Sequence, residues 1–295
     1  PSTGLSCTNC ANPIATPTTT TTYIVTGTNA ANCPDTGMVT ITVNPLPPVS
    51  AGPNQSLCLG NTAQLQATGA ANYTWSPATG LSCTSCANPT ANITTTTTYT
   101  VTGTSAANCV NTAQVTVTVN TPPTIAASNN TTICEGSSTP LQVTGAQTYS
   151  WSPSAGLSCT NCANPTASPV TTTTYTVIGI DANGCKDTTQ VTVTVNPKPV
   201  VDAGQDVSIC SFTSTQLQAS GGVANYIWSP ATGLSCTNCA SPIATPAATT
   251  TYTLTGLDGN GCSDTDNVTV TVLPPPDVDA GEDKTICKGE SIGLK

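Results

Sequence analysis

Four Cys-x-x-Cys pairs, Cys7/Cys10, Cys83/Cys86, Cys159/Cys162 and Cys236/Cys239, are the residues whose type and spacing could do chemistry. Paired thiols at this spacing serve dithiol redox enzymes and zinc sites. A redox pair needs a thiolate stabilised by a helix N-terminus or a nearby cation. The sequence offers no helix-period stretch and no Lys or Arg beside any pair. Zinc needs two pairs brought together, yet successive pairs lie 76 or 77 residues apart. The favoured reading is a disulfide within each pair, a small ring contributing roughly 2 kcal/mol on a loop-entropy basis. On that reading every ring is a clip on a long connection between strands. Inter-chain bridging is the competing use, ahead of metal or redox chemistry.

The remaining eight cysteines fall into two classes. One, in "AANC" or "NGC", stands at Cys33, Cys109, Cys185 and Cys262; the other, in "SLC" or "TIC", at Cys58, Cys134, Cys210 and Cys287. Both classes repeat with steps of 76, 76 and 77 residues, and Trp75, Trp151 and Trp228 keep the same register. Such self-similarity marks a tandem array. The expected units are 46–121, 122–197 and 198–274. They are flanked by the C-terminal part of a further unit at 1–45 and the N-terminal part of another at 275–295. The chain therefore reads as a window on a longer array.

Composition narrows the function. The chain has 295 residues, 14 acids against 5 bases and a net charge of −9, with no His and no Arg. The usual general base, the commonest nitrogen ligand and the bidentate phosphate fork are thus missing. An acidic chain without a basic cluster is not built for nucleic acid or anionic membranes. No run approaches the roughly 18 apolar residues of a membrane span, and no secretory leader is evident. Sixteen cysteines in so polar a chain place it in an oxidising, extracellular setting. No cofactor is expected. An enzyme would need acids such as Asp258 or Asp264 to act without a partner base.

Within one unit the signals are all β. "AQLQA" alternates Ala63, Leu65 and Ala67 with glutamines, and "NYTWS" sets Tyr73 and Trp75 on one face. "TTTYTVTG" groups Tyr99 with Val101, and "QVTVTVN" groups Val115, Val117 and Val119 with threonines facing away. Period-2 alternation of β-branched residues predicts half-buried antiparallel strands. About seven short strands with one Trp on the third predict a compact two-sheet sandwich of immunoglobulin type. Tyr23, Tyr99, Tyr175 and Tyr252 suit a tyrosine-corner position. Pro-rich links such as "VNPLPPVSAG" and "VLPPPDVDAG" favour stiff, extended connections, so the array is expected to form a rod.

The combined pattern "PPVSAGPNQSLC…LQATGAANYTWSPATGLS…TTTTTYTVTGT…C…VTVTV" resembles the PKD-like and immunoglobulin-like tandem repeats of Bacteroidetes surface proteins. In that group similar arrays occur in gliding-motility adhesins and type IX secretion cargo. The resemblance covers the whole chain. It implies an exported, cell-surface or extracellular array with adhesive or spacing roles.

Two pairings satisfy the remaining cysteines. Within one repeat they are Cys58–Cys109, Cys134–Cys185 and Cys210–Cys262, each closing about 50 residues and contributing roughly 4 kcal/mol. This is the leading expectation, because so small a domain is marginal without a staple. In an immunoglobulin sandwich, however, the first-to-second-strand turn and the last hairpin turn lie at opposite ends. A bond between repeats, such as Cys58–Cys185, is therefore the alternative.

Other features carry weaker readings. The threonine runs read as polar, β-favouring strand before they read as glycan sites, and sequons fall at Asn54, Asn72, Asn92, Asn129, Asn130 and Asn267. The acids Asp277, Asp279, Glu282 and Asp283 suggest calcium at one junction. The matching segment of the preceding repeat keeps only Asp202 and Asp206, and "VSAGPN" has no acid, so a metal is not expected. The leading function is a disulfide-stiffened stalk, adhesin or filament region. Its partners are neighbouring repeats, or other copies in a filament. The alternative is a module binding glycans or surfaces.

Overall fold

A computed structural model describes residues 1–294, and among them it contains strands and turns but no helix. Consequently no helix is long and apolar enough to cross a membrane. The first strands are β1 (Thr21–Thr28) and β2 (Pro34–Ile41). The stretch 46–121 carries β3 (Gln55–Cys58), β4 (Ala63–Gln64), β5 (Asn72–Ser76), β6 (Thr90–Ala91), β7 (Thr97–Thr104) and β8 (Val110–Asn120). The next carries β9 (Ala126–Ala127), β10 (Thr131–Cys134), β11 (Thr139–Pro140), β12 (Val143–Thr144), β13 (Thr148–Ser152), β14 (Thr166–Ala167), β15 (Thr173–Ile180) and β16 (Lys186–Asn196). The last complete set is β17 (Val201–Asp202), β18 (Val207–Cys210), β19 (Thr215–Gln216), β20 (Ser220–Gly221), β21 (Asn225–Ser229), β22 (Ile243–Ala244), β23 (Thr250–Leu257) and β24 (Ser263–Leu273).

One plan recurs three times. In 46–121 the larger sheet has the order β3-β8-β7-β5, matched by β10-β16-β15-β13 and β18-β24-β23-β21. The hairpin β7–β8 is antiparallel with Tyr99 opposite Val115, and β5 flanks it with Trp75 opposite Val101. On the other edge β3 adds in parallel, from Gln55 opposite Val117 to Cys58 opposite Asn120. The facing layer is the β4–β6 pair with bridges Ser50–Thr68 and Leu81–Ala91. This is an immunoglobulin-like sandwich. Where the chain turns back at Gly69, with φ +90°, a Cβ would collide with the Pro48 carbonyl, so only glycine fits.

Alternation explains the layers. Along β7, Tyr99 and Val101 point inward, and along β8 Val115 and Val117 do the same; all four are essentially fully buried. They meet Trp75, Leu65, Ala63, Ala67 and Ala91 from the other strands. The intervening threonines face out and bond across the hairpin: Thr98 to Thr116 at 2.9 Å, Thr174 to Thr192 at 2.9 Å, and Thr251 to Thr269 at 3.0 Å. A one-residue slip would exchange the two faces, so the register is strongly specified.

The compact units do not follow the sequence period. One comprises Pro1–Thr124 together with Gly145–Gln147 and Gly179–Asp187. The other comprises Ile125–Thr144, Thr148–Ile178 and the chain from Thr188 onward. The first unit thus includes a hairpin tip, 179–187, taken from the following repeat.

Candidate functional site

The distinctive local chemistry of each repeat is sulfur. In the four Cys-x-x-Cys motifs the bonds are Cys7–Cys10, Cys83–Cys86, Cys159–Cys162 and Cys236–Cys239, each with Cα atoms 6.0 Å apart. In the three complete repeats the ring sits in the long connection that follows the Trp-bearing strand, β5 to β6 in the first of them. Two buried side chains anchor that connection. The Trp75 indole N–H donates to the Cys86 carbonyl at 2.9 Å, as Trp151 does to Cys162 at 2.9 Å and Trp228 to Cys239 at 3.0 Å. The Tyr99 hydroxyl donates to the Thr79 carbonyl at 2.7 Å, a bond repeated by Tyr175 to Ala155 and Tyr252 to Thr232.

Cys10 closes its ring in surroundings that differ from those of the other three. It is exposed, whereas Cys86, Cys162 and Cys239 are half-buried. Trp75, Trp151 and Trp228 each donate to the second-cysteine carbonyl of one of the other rings, and among the described residues no tryptophan does so at Cys10. The second anchor persists there, since the Tyr23 hydroxyl donates to the Thr3 carbonyl at 2.9 Å. The Cys7–Cys10 connection keeps the tyrosine bond and the Leu5–Ala15 bridge, and its second cysteine is exposed.

Buried indole and phenol groups need partners, and the clipped loop supplies both acceptors. Sequence reasoning found the ring but missed this role. The constant spacing from Trp to the second cysteine, eleven residues each time, was the available signal. Burial pushes the hydroxyls of Tyr99 and Tyr252 above their ordinary value. For Tyr175 burial does the same, and a hydrogen bond with Thr173 opposes it.

The other cysteines correct a further expectation. Cys58 bonds Cys185 and Cys134 bonds Cys262, each with Cα atoms 5.5 Å apart, so these bridges join successive repeats. The within-repeat pairs Cys58–Cys109, Cys134–Cys185 and Cys210–Cys262 are not formed; Cys33, Cys109, Cys210 and Cys287 carry free thiols. Strand register gives the reason. Cys58 stands level with Asn120 at the end of β8, whereas Cys109 immediately precedes Val110 at its start. The eleven residues of β8 separate those levels by about 36 Å at ~3.3 Å per residue. A disulfide requires Cα atoms within about 7 Å.

The turn that delivers the second thiol is shaped by an acid. The Asp181 carboxylate accepts the Cys185 N–H at 2.8 Å and the Asn183 N–H at 2.9 Å. Asp258 does the same for Cys262 and Asn260, both at 2.8 Å. Desolvation raises the pKa of Asp258, but the N–H donors of Cys262, Asn260 and Gly261 together outweigh it and hold the carboxyl below its ordinary range. Cys185 and Cys262 are buried, 1% and 0% exposed. These sulfurs are shielded from solvent reductants.

Several candidate polar residues have structural partners. The Oδ1 atoms of Asn54, Asn130 and Asp206 accept backbone N–H bonds from Thr116, Thr192 and Thr269 at 2.7–2.8 Å. Asp202 accepts from Gly204 and Asp279 from Gly281, both at 2.8 Å. Among the described residues no group of three or more acids or cysteines is placed to hold a metal ion.

No family model matches the chain, and no curated protein matches it. Among solved structures it is similar to the N-terminal eight Ig domains of Down Syndrome Cell Adhesion Molecule. The identity there is 10% and the TM-score 0.41, over 86% of this chain and 40% of that one. It is also similar to immunoglobulin domains 1–5 of Sidekick-1, at 14% identity and TM-score 0.33, over 93% of this chain and 72% of that one. A third is a Ca2+-stabilized adhesin that helps an Antarctic bacterium bind ice, at 12% identity and TM-score 0.35, over 86% of this chain and 82% of that one. The chain spans 40% of the length of the first of these.

Proposed function

We propose that the chain is a structural segment of an extracellular stalk, adhesin or filament, in which each repeat is tied to the next by a disulfide. One observation carries this reading: Cys58 reaches past its own repeat to Cys185, and Cys134 repeats the connection to Cys262. A bond of this kind removes bending freedom at a junction in a way that a bond within a domain does not. Repetition supports the reading, because a scaffold needs the same unit many times. The repeat boundaries at 46, 122 and 198 are part of the proposal, as is the likeness to PKD-like repeats of Bacteroidetes surface proteins, which rests on sequence motifs alone. No catalytic step belongs to it, since the chain has neither His nor Arg.

The alternative, a module gripping glycans or surfaces, calls for exposed aromatic side chains. The three tryptophans are 2–3% exposed, and Phe212 is the aromatic that stands in solvent. Small-angle scattering decides the matter. The oxidised chain is expected to give an extended profile with a narrow distribution of maximum dimension. The Cys58→Ser/Cys134→Ser double variant is expected to give a broader, shorter one with each sandwich still folded. Identical profiles would remove the bracing role.

A further inference from the structure

We propose that each clipped connection guards a sheet edge, and that an edge uncovered by opening the ring pairs with the same strand of a second copy. The guard is independent of any mechanical role for the array.

A sandwich has open sides, where the outermost strands leave backbone N–H and C=O groups unpaired. In 46–121 one outermost strand of the larger sheet is β5. Its Trp75 N–H, on the side away from β7, donates to the Thr84 carbonyl at 2.8 Å. On the same connection the Ala87 and Pro89 carbonyls accept from Ala67 and Leu65, which follow β4 in the facing layer, at 2.8 and 2.9 Å. One segment thus stitches across the open side, from the edge of one sheet to the edge of the other. The other two complete repeats keep the pattern. Trp151 donates to Thr160, Val143 to Ala163 and Leu141 to Pro165 at 2.8–2.9 Å. Trp228 donates to Thr237, Ala219 to Ala240 and Leu217 to Pro242 at 2.7–2.9 Å.

The ring fixes the stitch at its β5 end. Thr84 lies between Cys83 and Cys86, whose Cα atoms stand 6.0 Å apart. The ring therefore carries both acceptors of one residue: the Thr84 carbonyl for the Trp75 backbone N–H and the Cys86 carbonyl for its indole. Residues 83–86 belong to no strand, since β5 ends at Ser76 and β6 begins at Thr90. Opening the disulfide frees the Thr84 carbonyl to turn away.

The occupant follows from the edge itself. Exposed edges are commonly blunted by lysine, proline or a bulge. β5 reads Asn-Tyr-Thr-Trp-Ser, β13 Thr-Tyr-Ser-Trp-Ser and β21 Asn-Tyr-Ile-Trp-Ser, with no charge and no proline in any of them. Protection falls to the loop. A two-fold axis through Thr74 lays two copies of β5 antiparallel, with Tyr73 of one opposite Trp75 of the other. Each pair then exchanges the N–H and carbonyl groups turned away from β7. Residues 46–121 contain no charged side chain, so no charge repels a second copy there.

The test uses the 295-residue chain with its free thiols alkylated, so that the cross-repeat bridges stay closed and new disulfides are blocked. Sedimentation velocity reads association, hydrogen exchange reads the Trp75 amide, and near-ultraviolet dichroism of the tryptophans reads the fold. The clipped chain is expected to be a monomer. Cys83→Ser/Cys86→Ser opens the edge of 46–121 alone and is expected to give a dimer and no larger species, with faster exchange at Trp75. Serine at Cys159, Cys162, Cys236 and Cys239 as well is expected to give larger assemblies. Adding Thr74→Lys to the first variant sets two like charges face to face across the axis and is expected to restore the monomer. Cys159→Ser/Cys162→Ser repeats the measurement in 122–197, a repeat bridged to both neighbours by Cys58–Cys185 and Cys134–Cys262. Opened chains that stay monomeric with their dichroism intact, that unfold at both rings, or that associate regardless of Thr74→Lys would overturn the proposal.

Discussion

Residues 21–44 and 97–120 carry nearly the same sequence pattern, and both fold as an antiparallel hairpin, with Tyr23 opposite Val39 in one and Tyr99 opposite Val115 in the other. Around the second, β3, β5 and the β4–β6 layer close a core in which Val101 and Val117 are 0% exposed. Among the described residues no such layer packs on the first, and Val25 and Val39 are 69% and 59% exposed. The hairpin is therefore a local product of alternation and turn chemistry, whereas burial of its valines is supplied by other segments of the repeat, Trp75 and Leu65 among them. Burying one such side chain is worth roughly 1.5–3 kcal/mol, so in 46–121 the covering strands contribute stability that the hairpin's own sequence does not. The rings follow the same division, with Cys10 exposed beside the bare hairpin and Cys86 half-buried beneath Trp75.

Breaking the cross-repeat bridge should widen the comparison most. Cys58→Ser with Cys185→Ser opens a link spanning 127 residues, and chain entropy puts the loss at about 5 kcal/mol. Denaturant unfolding read by Trp75 fluorescence should shift accordingly, with the 1–45 hairpin unaffected. Next comes Trp75→Ala, expected to cost about 3–5 kcal/mol and to release the Cys86 carbonyl from its donor. Proteolysis should then cut the 77–89 connection first. Opening one clip, with Cys83→Ser and Cys86→Ser, should cost about 2 kcal/mol. It should also raise hydrogen exchange at the Trp75 indole.

The pH response sharpens the same contrast. The hydroxyls of Tyr99, Tyr175 and Tyr252 titrate above their ordinary value of 10.0 when folded. Below that value the sandwiches keep their full stability. It is lost as pH rises through the folded-state values, because the unfolded chain ionises first. Alkaline titration of each repeat should show cooperative unfolding coupled to tyrosinate absorbance, and a Tyr99→Phe variant should delay it in 46–121. The smallest effect is expected for Thr98→Val, which removes one exposed hydroxyl pair with Thr116 and should cost about 0.2–1 kcal/mol in a thermal melt.

Much of the fold was legible. Alternation in "QVTVTVN" and "TTTYTVTG" gave the strands, their inward faces and the sandwich class, because side-chain direction in a strand is a local property. The Cys-x-x-Cys ring was legible too, since three residues of separation leave little geometric choice and no cation or helix was at hand to support other chemistry. The pairing of Cys58 was not legible in the same way. The within-repeat choice was favoured on entropy, but the parallel addition of β3 to β8 sets Cys58 and Cys109 at opposite ends of one strand. Nothing in the residues around Cys58 announces that its strand runs parallel to β8. Likewise the eleven-residue spacing from Trp to the second cysteine was in view, but only the folded connection shows that a carbonyl there receives the indole N–H.

By itself the sequence determined the repeat, the strand faces, the clip and the absence of the side chains that acid–base catalysis most often uses, because each follows from residue types or from spacings of a few residues. Tertiary structure alone decided which distant cysteines meet and which valines are covered. Both depend on how segments tens of residues apart are brought side by side, and a strand's own sequence does not encode which neighbour lies along its edge or in which direction.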